Sequence, residues 1–452
     1  MAPLARQIDF MAGGDVLAKY GTLLWRKAPP TAGGEIPYTF TRSGSGLFVA
    51  NDVVAGGLQY FTAPANTPRV DQQPDPVTGQ LQNYLVVELL GTNSYLRSEE
   101  FDNASWNTKS NMTVTANSAL APDGTTTADT FVESTDGAPT LHYIKQTLPA
   151  LTDNTNQCAS IHVRPGSRSW LLMEAQAKNA VFYDASFNLS GAGSVGTVSS
   201  GARGIIVAKF SLTDGTIYYR CCIVFPSNSG ATTPNVAHYP ATGDGGAAAT
   251  YQGNGSNSLY MWGAQFDKDQ NFPSSYIKTV ASTATRNAET FTVPWYAGPT
   301  GGEWLYARFL ERGAGLTPAA YPELVRIGTA STRPQFRFVG TYANPIAWQY
   351  SADYQLTAGD ASEAAATAGA GAFGNVIELL AWVNLAKSLL TFRWAINGGA
   401  ESVGTAAPAA GTPANWSGLQ LALGGNAAYS RVLHGYGGGT ALSTIADVRN
   451  LL

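Results

Sequence analysis

The sequence predicts an all-β protein, with tandem β-sandwich domains of the jelly-roll type behind a small irregular N-terminal region. Short apolar runs alternate with polar residues at a period of two, which is typical of half-buried strands. Pairs such as Pro-Gly, Asp-Gly and Ser-Gly separate these runs and favour turns. Helical periodicity is weak, and only residues 362–367, which are rich in alanine, and residues 442–452 are helix candidates.

The length of 452 residues predicts more than one hydrophobic core, because single cores stop growing at about 250–300 residues. We expect three consecutive segments. Residues 1–94 form an N-terminal region for adaptation or assembly, residues 95–292 form a first sandwich, and residues 293–452 form a second one. The first segment is rich in glycine and proline, and its predicted strands are short: residues 38–42, 46–49 and 84–88.

The two sandwich segments carry the clearest strand patterns. In the first, polar and apolar residues alternate at residues 142–146, 159–164, 169–174, 217–225 and 258–263. In the second, the strands are expected at residues 303–309, 335–339, 377–383, 390–398 and 419–424. No repeat of about 20–50 residues is visible, so the sequence predicts neither a solenoid nor a β-helix.

The chain is poor in charge, which restricts its partners. Charged residues make up 13% and the net charge is −4, whereas a nucleic-acid partner requires a basic surface. The sequence has neither an apolar run of about 18 residues nor the charged and apolar regions of a secretory signal. We therefore expect synthesis in a cytoplasm and no membrane insertion. A surface with so few charges loses little on desolvation, which predicts packing into a larger assembly.

Three cysteines are present, and two of them are adjacent. Cys221 and Cys222 lie in a strand-like run, so their side chains should point to opposite faces of a sheet. Cys158 can approach only one of them. No CxxC spacing occurs, so we expect reduced thiols, no zinc and no cofactor.

No catalytic constellation is visible in the sequence, and we expect no enzymatic activity. It contains neither the GxSxG turn of serine hydrolases nor the HExxH spacing of zinc hydrolases. The acidic pairs Glu99 with Glu100 and Asp267 with Asp269 would suit a glycosidase only if they faced each other across a cleft. Three loop carboxylates leave a structural calcium ion open, as in some jelly rolls: Asp123, Asp129 and Asp136.

A series of motifs runs in order through the first sandwich segment. They are YLRSEEFDNASW at residues 95–106, APDGTTTAD at 121–129, VRPGSRSW at 163–170, YRC at 219–221, GNGS at 253–256, YMWGAQ at 260–265 and FPSSYI at 272–277. In order and spacing, these motifs resemble a carbohydrate-binding module of bacteriophage tail-fibre and head-spike proteins. Residues 293–452 are more distantly similar to laminin-G and concanavalin-like lectin sandwiches, through a strand pair ending at Asn397 and Gly398 and a closing segment at Leu442 and Ser443.

The resemblance implies a structural protein of a bacteriophage virion: a tail fibre, a head spike or fibre, or a capsid decoration. It implies synthesis in the cytoplasm of the bacterial host, other virion proteins as partners, and a host-surface polysaccharide as ligand. Together with the low charge, it favours a homotrimer. Two alternatives remain open, a polysaccharide depolymerase spike and a purely architectural virion component without a ligand.

Glycan binding requires aromatic ring faces for the C–H groups of a sugar and polar side chains for its hydroxyls. The candidates fall in the first sandwich segment, and each of the aromatic ones has core packing as its competing interpretation. The candidate residues are Arg164, Arg168, Trp170, Tyr183, Tyr219 and Tyr239.

Overall fold

The computed structural model describes residues 39–51, 58–74, 77 and 81–294, together with shorter segments on both sides. Those segments are residues 4–11, 22–26, 303–311, 323–327, 335–344, 347–355, 363–366, 375–383, 390–406, 420–423, 427–436 and 445–446. The described residues form antiparallel sheets, which confirms the predicted all-β class. Within them, no helix has the length and apolar character that a membrane span requires.

The chain folds into two compact units. Unit 1 consists of residues 1–45, 63–89 and 287–452, and unit 2 consists of residues 46–62 and 90–286. The chain thus passes between the units four times. This division differs from the three consecutive segments expected from the sequence, because strands early in the chain pair with strands near its end.

The strands before residue 94 are divided between the two units. They are β1 (Leu4–Met11), β2 (Thr22–Arg26), β3 (Thr39–Thr41), β4 (Gly46–Asn51), β5 (Leu58–Ala63), β6 (Arg69–Pro74), β7 (Leu81–Val87) and β8 (Gly91–Asn93).

The strands of the central part of the chain belong to unit 2, which also has a short 3-10 helix at Gly246–Ala249. They are β9 (Thr108–Ser110), β10 (Met112–Ala119), β11 (Ala128–Glu133), β12 (Thr140–Leu141), β13 (Tyr143–Thr147), β14 (Asn156–Pro165), β15 (Trp170–Gln176), β16 (Phe182–Asn188), β17 (Ser194–Val198), β18 (Arg203–Ser211), β19 (Ile217–Pro226), β20 (Asn235–Ala241), β21 (Thr250–Tyr251), β22 (Asn257–Asp267) and β23 (Ala284–Arg286).

The remaining strands belong to unit 1. They are β24 (Thr290–Pro294), β25 (Glu303–Glu311), β26 (Glu323–Ile327), β27 (Gln335–Asn344), β28 (Ala347–Gln355), β29 (Glu363–Ala366), β30 (Val376–Val383), β31 (Leu390–Ile396), β32 (Ser402–Ala406), β33 (Gln420–Leu423) and β34 (Ala427–Tyr436).

Unit 1 contains a nine-stranded and a seven-stranded antiparallel sheet. The first has the order β2-β1-β34-β25-β30-β31-β32, with β7 joined to β34 and β6 to β7. The second has the order β29-β28-β27-β26-β33-β24-β3. Strand β1 thus pairs with β34, which places Ile8 opposite Val432, and Phe40 of β3 lies opposite Phe291 of β24.

The helix predicted at residues 362–367 is wrong. This segment contains β29, in which Ala366 lies opposite Tyr350 and Ala364 opposite Ala352 on β28. Alanine has the highest intrinsic helix propensity, but tertiary context routinely overrides propensity, and here pairing with β28 supplies the backbone hydrogen bonds instead. The second helix candidate, residues 442–452, lies outside the described residues apart from Ile445 and Ala446, which are helical.

Four buried charged side chains form an ion-pair network in unit 1. Arg69 donates to both oxygens of Glu289 through Nε and Nη2, at 2.6 and 2.7 Å, and to Glu88 at 2.8 Å. Arg42 donates to Glu289 Oε1 at 2.7 Å. Burial alone would lower the pKa of Arg69, but the charges of Glu289 and Glu88 raise it above the usual range. The guanidinium group of Arg69 is therefore charged at any ordinary pH.

This network joins chain segments that lie close to all four passages between the units. Arg42 precedes the first passage, and its Nη2 atom donates to the carbonyl oxygens of Ala63 and Pro64, which follow the second. Glu88 precedes the third passage and Glu289 follows the fourth. The backbone N–H of Glu289 also donates to the carbonyl of Glu88 at 2.9 Å.

Unit 2 is a jelly roll, as predicted. Its eight-stranded sheet has the order β10-β11-β22-β14-β19-β18, with β8 joined to β22 and β23 to β8, and its six-stranded sheet has the order β17-β16-β15-β20-β13-β9. When β11, β13, β14, β15, β16, β19, β20 and β22 are numbered one to eight, the central strands of the two sheets run 1-8-3-6 and 2-7-4-5. This is the double Greek-key order of a jelly roll.

The inner faces of the two sheets form the core of unit 2. Alternate residues of the central strands contribute to it, as the period of two requires. Phe101 and Trp106 complete the core from the preceding segment, with ring centroids 4.6 Å apart. Further members from the strands include Ile161, Val163, Leu171, Met173, Phe187, Tyr219, Cys221, Ile223, Val236, Leu259 and Phe266.

The outer face of the eight-stranded sheet is covered as well. Tyr60 of β5 packs on it, with ring centroids 5.0 Å from Phe210, 5.9 Å from Trp262 and 5.5 Å from His162. Burial holds the pKa of His162 well below its usual range, so its ring is neutral. Its Nδ1–H then donates to the carbonyl of Gly263, and its Nε2 accepts the hydroxyl proton of Tyr60 at 3.0 Å. The central strands of this sheet, β14, β19 and β22, are therefore mostly buried on both faces, whereas β10 and β18 stay partly exposed.

Removing a charge from the ion-pair network should destabilise unit 1. We expect Glu289→Gln to lower the free energy of unfolding by about 3–5 kcal/mol, because two buried guanidinium groups lose their shared charged partner. Urea-induced unfolding measures the change. The control is Glu401→Gln, since Glu401 makes a partly exposed ion pair with Arg393 at 3.3 Å that should be worth at most about 1 kcal/mol. Equal losses in the two variants would contradict the assignment.

Removing the indole of Trp262 should destabilise unit 2. Trp262 is 1% exposed and lies in the layer beneath β5, outside the central core. We expect Trp262→Ala to cost about 3–5 kcal/mol through the cavity it leaves, as measured by thermal unfolding. Trp170→Ala, at a partly exposed tryptophan, should cost less. An unchanged melting temperature for Trp262→Ala would show that the layer is not packed.

Candidate functional site

The six-stranded sheet of unit 2 has one face in the core and one that remains partly exposed. Along β15, Leu171 and Met173 point into the core, whereas Trp170, Leu172 and Glu174 point outward. We call this outward face the open face. Because the centre of the eight-stranded sheet is covered on its outer side, the open face is the candidate ligand surface of unit 2.

Strand register arranges the open face in rungs across β13, β20, β15 and β16. Same-face residues along a strand are about 7 Å apart, so four rungs extend over about 20 Å. Written in that strand order, three of the rungs are Thr147-Asn235-Gln176-Phe182, Lys145-Ala237-Glu174-Asp184 and Tyr143-Tyr239-Leu172-Ser186; the fourth, from β20 onward, is Ala241-Trp170-Asn188.

Two carboxylates lie directly opposite each other in the second rung. Glu174 and Asp184 are partners across β15 and β16. Burial raises the pKa of both, and for Glu174 the charge of Asp184 raises it further. Asp184 Oδ1 is buried, and no donor to it is found within the described part of the chain. Like charges so placed destabilise a sheet, so the pair costs stability, and both residues remain partly exposed on the open face.

Aromatic rings and a cation lie beside the carboxylates. The rings of Tyr143 and Tyr239 have centroids 5.0 Å apart and are tilted by 41°. The hydroxyl of Tyr239 donates to Glu174 Oε1 at 2.8 Å, and Lys145 Nζ lies 5.8 Å from the ring centroid of Tyr143. In the adjacent rung, Asn235 donates to Gln176 at 2.7 Å.

A loop at residues 242–249 borders the open face. Ala249 packs with Leu172 and Tyr239, which leaves Tyr239 only 5% exposed. On the far side, Asp244 accepts from the backbone and hydroxyl of Thr197 at 2.7 and 2.9 Å. The close approach of Asp244 and Trp170 requires a glycine at position 196. A Cβ there would lie 2.2 Å from Asp244 Oδ1 and 2.9 Å from the indole of Trp170. The loop thus forms one wall of the site.

Two of the six residues predicted for glycan binding lie on the open face, Trp170 and Tyr239. Tyr219 does not: it is 1% exposed in the core, and its hydroxyl donates to the carbonyl of Gly191 at 2.9 Å. Tyr183 lies opposite Ala175 and packs against the core. Strand parity places these two rings inward, so the prediction for them is corrected to core packing.

The two predicted arginines also lie away from the open face. Arg164 ends β14 in the other sheet, with its guanidinium 3.7 Å from the ring centroid of Tyr260. Arg168 forms a bidentate ion pair with Glu133, at 2.9 and 2.6 Å, and stacks on Tyr251 at 4.2 Å. Both guanidinium groups already contact other side chains of unit 2, so a role for them in glycan binding stays a prediction.

The three carboxylates considered as calcium ligands each have their own hydrogen-bond donors. Asp129 accepts from the backbone N–H groups of Phe101 and Asn117, although burial raises its pKa to about 6. Asp123 accepts from Thr125, and Asp136 from His142. Among the described residues, no three potential metal ligands of the His, Cys, Asp and Glu types gather in one place.

The acidic pairs suggested for a glycosidase do not face each other. Glu99 accepts from Tyr276 at 2.9 Å and from Lys278 at 2.6 Å. Asp267 is buried and accepts from Gln265, while Asp269 accepts from Thr152, Thr155 and Gln157. These carboxylates are engaged in loop and strand contacts.

Sequence reasoning missed Tyr143, Lys145, Glu174 and Asp184. The first two are in a strand that the sequence predicts, and alternation places them on one face. Glu174 likewise shares a face with Trp170. These residues come together because β13, β20, β15 and β16 are neighbours in the sheet. The alternation of residues within a single strand does not reveal which strands are neighbours.

A scan against protein-family models finds no match to this chain. No curated protein is similar to it either. The resemblance of residues 95–277 to phage modules therefore stays a prediction, and function is inferred from the chemistry of the open face.

Proposed function

We propose that this chain is a non-enzymatic structural protein of a bacteriophage virion that holds host-surface polysaccharide on its open face. The virion context rests on the motifs between residues 95 and 277. The ligand class rests on the open face itself, where tyrosine rings, carboxylates, amides and a lysine are arranged in rungs across one sheet.

The chemistry of the open face matches a sugar. The rings of Tyr143 and Trp170 offer flat apolar surface for C–H groups, and such partly exposed aromatic side chains commonly serve recognition. Glu174 and Asp184 accept hydrogen bonds, which the hydroxyls of a sugar can donate. The single observation that carries the proposal is the pair of partly exposed carboxylates, Glu174 and Asp184, beside the partly exposed ring of Tyr143.

An open sheet surface of this kind binds weakly, so useful attachment requires several copies. Linking sites in one assembly raises avidity without new contacts. A homotrimer bound to other virion proteins supplies that multiplicity, and the low charge of the chain suits it. The protein accordingly works as part of a virion appendage or decoration.

Binding is favoured over cleavage by the placement of the carboxylates. A glycosidase holds its two carboxyl groups on either side of the scissile bond. Glu174 and Asp184 are neighbours on one face of one sheet, so a sugar would lie above both. A depolymerase is the second candidate, because two carboxyl groups lie side by side on a partly exposed face.

The first functional prediction concerns attachment. The full chain, displayed in many copies on beads, should remain on bacterial envelopes after washing. Tyr143→Ala and Glu174→Gln should each reduce retention at least about tenfold, the effect of losing about 1.4 kcal/mol per site. Tyr260→Ala, at a partly buried tyrosine of the other sheet, is the matched control and should leave retention unchanged.

Other outcomes of this experiment identify the alternatives. Release of reducing sugar that Glu174→Gln abolishes would establish a depolymerase. No retention by folded beads on a panel of envelopes would establish a purely architectural component. Equal loss with Tyr143→Ala and Tyr260→Ala would place the site elsewhere.

The second functional prediction concerns the charge of the sugar. Three acidic groups, Glu174, Asp184 and Asp244, accompany one cation, Lys145, on the open face and its wall. We therefore expect a glucosamine hexamer to bind at least about tenfold more tightly than the N-acetylated hexamer, and a uronate hexamer not to bind, as measured by calorimetry.

A charge-matched variant separates local recognition from attraction by the net charge. Glu174→Gln with Asp184→Asn should abolish the preference for the amine. Glu100→Gln with Asp102→Asn makes the same charge change at a surface turn and should preserve it. If both variants lose the preference equally, the attraction is non-specific and the charge prediction fails.

A further inference from the structure

Two cysteines on neighbouring strands are in contact. The sulfur atoms of Cys158 on β14 and Cys222 on β19 lie 2.9 Å apart, and both residues are fully buried. Cys158 is opposite Val224 and Cys222 is opposite Ser160, so the two are diagonal neighbours on one face of the eight-stranded sheet. Both thiols are free.

The third cysteine points the other way. Cys221 lies opposite Ile161 and belongs to the central core. Cys158 and Cys222 instead pack with Val224 on the outer face, beside Ile205 and Val207. Asp267 on β22 lies opposite Cys158, so this buried surrounding is apolar on one side and charged on the other. The strand parity of β19 separates the two thiols from the third.

We propose that Cys158 and Cys222 are a modification site at which a cross-strand disulfide forms when the protein meets an oxidising environment. The oxidant is a small-molecule disulfide. One cysteine thiolate attacks it, forming a mixed disulfide and releasing one small thiol. The other cysteine then attacks the mixed disulfide, releasing the second small thiol and closing the Cys158–Cys222 bond. Two protein thiols are oxidised, one small disulfide is reduced, and the two protons leave with the small thiols.

The geometry requires only a small adjustment. Diagonal neighbours in antiparallel strands have Cα atoms about 7–8 Å apart, close to the upper limit for a disulfide at about 6.8 Å. The sulfur contact shows that both side chains already have the required direction. A slight approach of β14 and β19 completes the bond.

Burial keeps the pair reduced until the sheet opens. It holds the pKa of Cys158 well above its usual value, and the neighbouring Cys222 thiol raises it further, so the reactive thiolate is scarce in the folded protein. The reaction therefore proceeds through local opening and gives a bond that is equally hard to reduce. The disulfide links positions 64 residues apart in the chain, which restricts the unfolded state.

The experiment uses the full-length reduced protein, incubated with oxidised glutathione a few degrees below its unfolding midpoint. Digestion under acidic, non-reducing conditions and mass spectrometry then identify the linked peptides. We expect a Cys158–Cys222 link with the loss of two hydrogens and a rise of roughly 5–10 °C in the unfolding midpoint. Cys221→Ser is the matched control and should keep both the link and the rise.

Cys222→Ser and Cys158→Ser should each abolish the link and the rise, which keeps the test decisive if one of them folds poorly. A link from Cys158 to Cys221 would overturn the proposal, because it would require the strand to present its other face. Thiols that stay unreacted below the midpoint, but react with glutathione once the chain is unfolded in urea, would also overturn it.

Discussion

The ion pair between Arg69 and Glu289 holds together the segments of unit 1 that lie next to the chain's passages between the two units. Around it, Arg42 and Glu88 bring together chain segments that are up to 247 residues apart in sequence. Burying four charges is costly and rarely adds net stability over apolar packing. The buried network instead favours one specific arrangement of these chain segments, because each buried carboxylate or guanidinium group can pair with few alternative partners. The segments at which the chain leaves and re-enters unit 1 are thereby held in one place.

Within unit 2, the two sheets of the jelly roll differ in what covers them. The eight-stranded sheet receives Tyr60 and its neighbours on its outer face, where a neutral histidine is enclosed by aromatic rings. The six-stranded sheet keeps its outer face partly exposed, with the loop at residues 242–249 forming one wall. We therefore expect the ligand to bind on the six-stranded sheet, whose outer face has no second layer. The layer packed on the other sheet decides this location more than the jelly-roll topology does.

The side chains of the open face are poorly explained by stability. Glu174 and Asp184 are like charges on neighbouring strands, and both are partly buried. Burial raises the pKa of both carboxyl groups, and the charge of Asp184 raises that of Glu174 further. A structural role would be met better by an apolar or opposite-charge pair. Groups that cost stability and face solvent beside aromatic rings are typical of binding sites. The acidic excess on this face is the basis for the proposed preference for an amine-bearing sugar.

The sequence by itself determined the all-β class, the positions of most strands in unit 2, and which residues alternate on each strand, because these follow from local periodicity and turn chemistry. It determined that Cys158 can meet only one of two adjacent cysteines, but the register of β14 and β19 decided that this one is Cys222. Strand order decided the rest. Tyr219 and Tyr183 alternate as regularly as Trp170 does, yet only the placement of each sheet's covered face sends them into the core. Likewise, the pairing of β1 with β34 and the network around Glu289 join distant segments through long-range contacts, which no local pattern specifies.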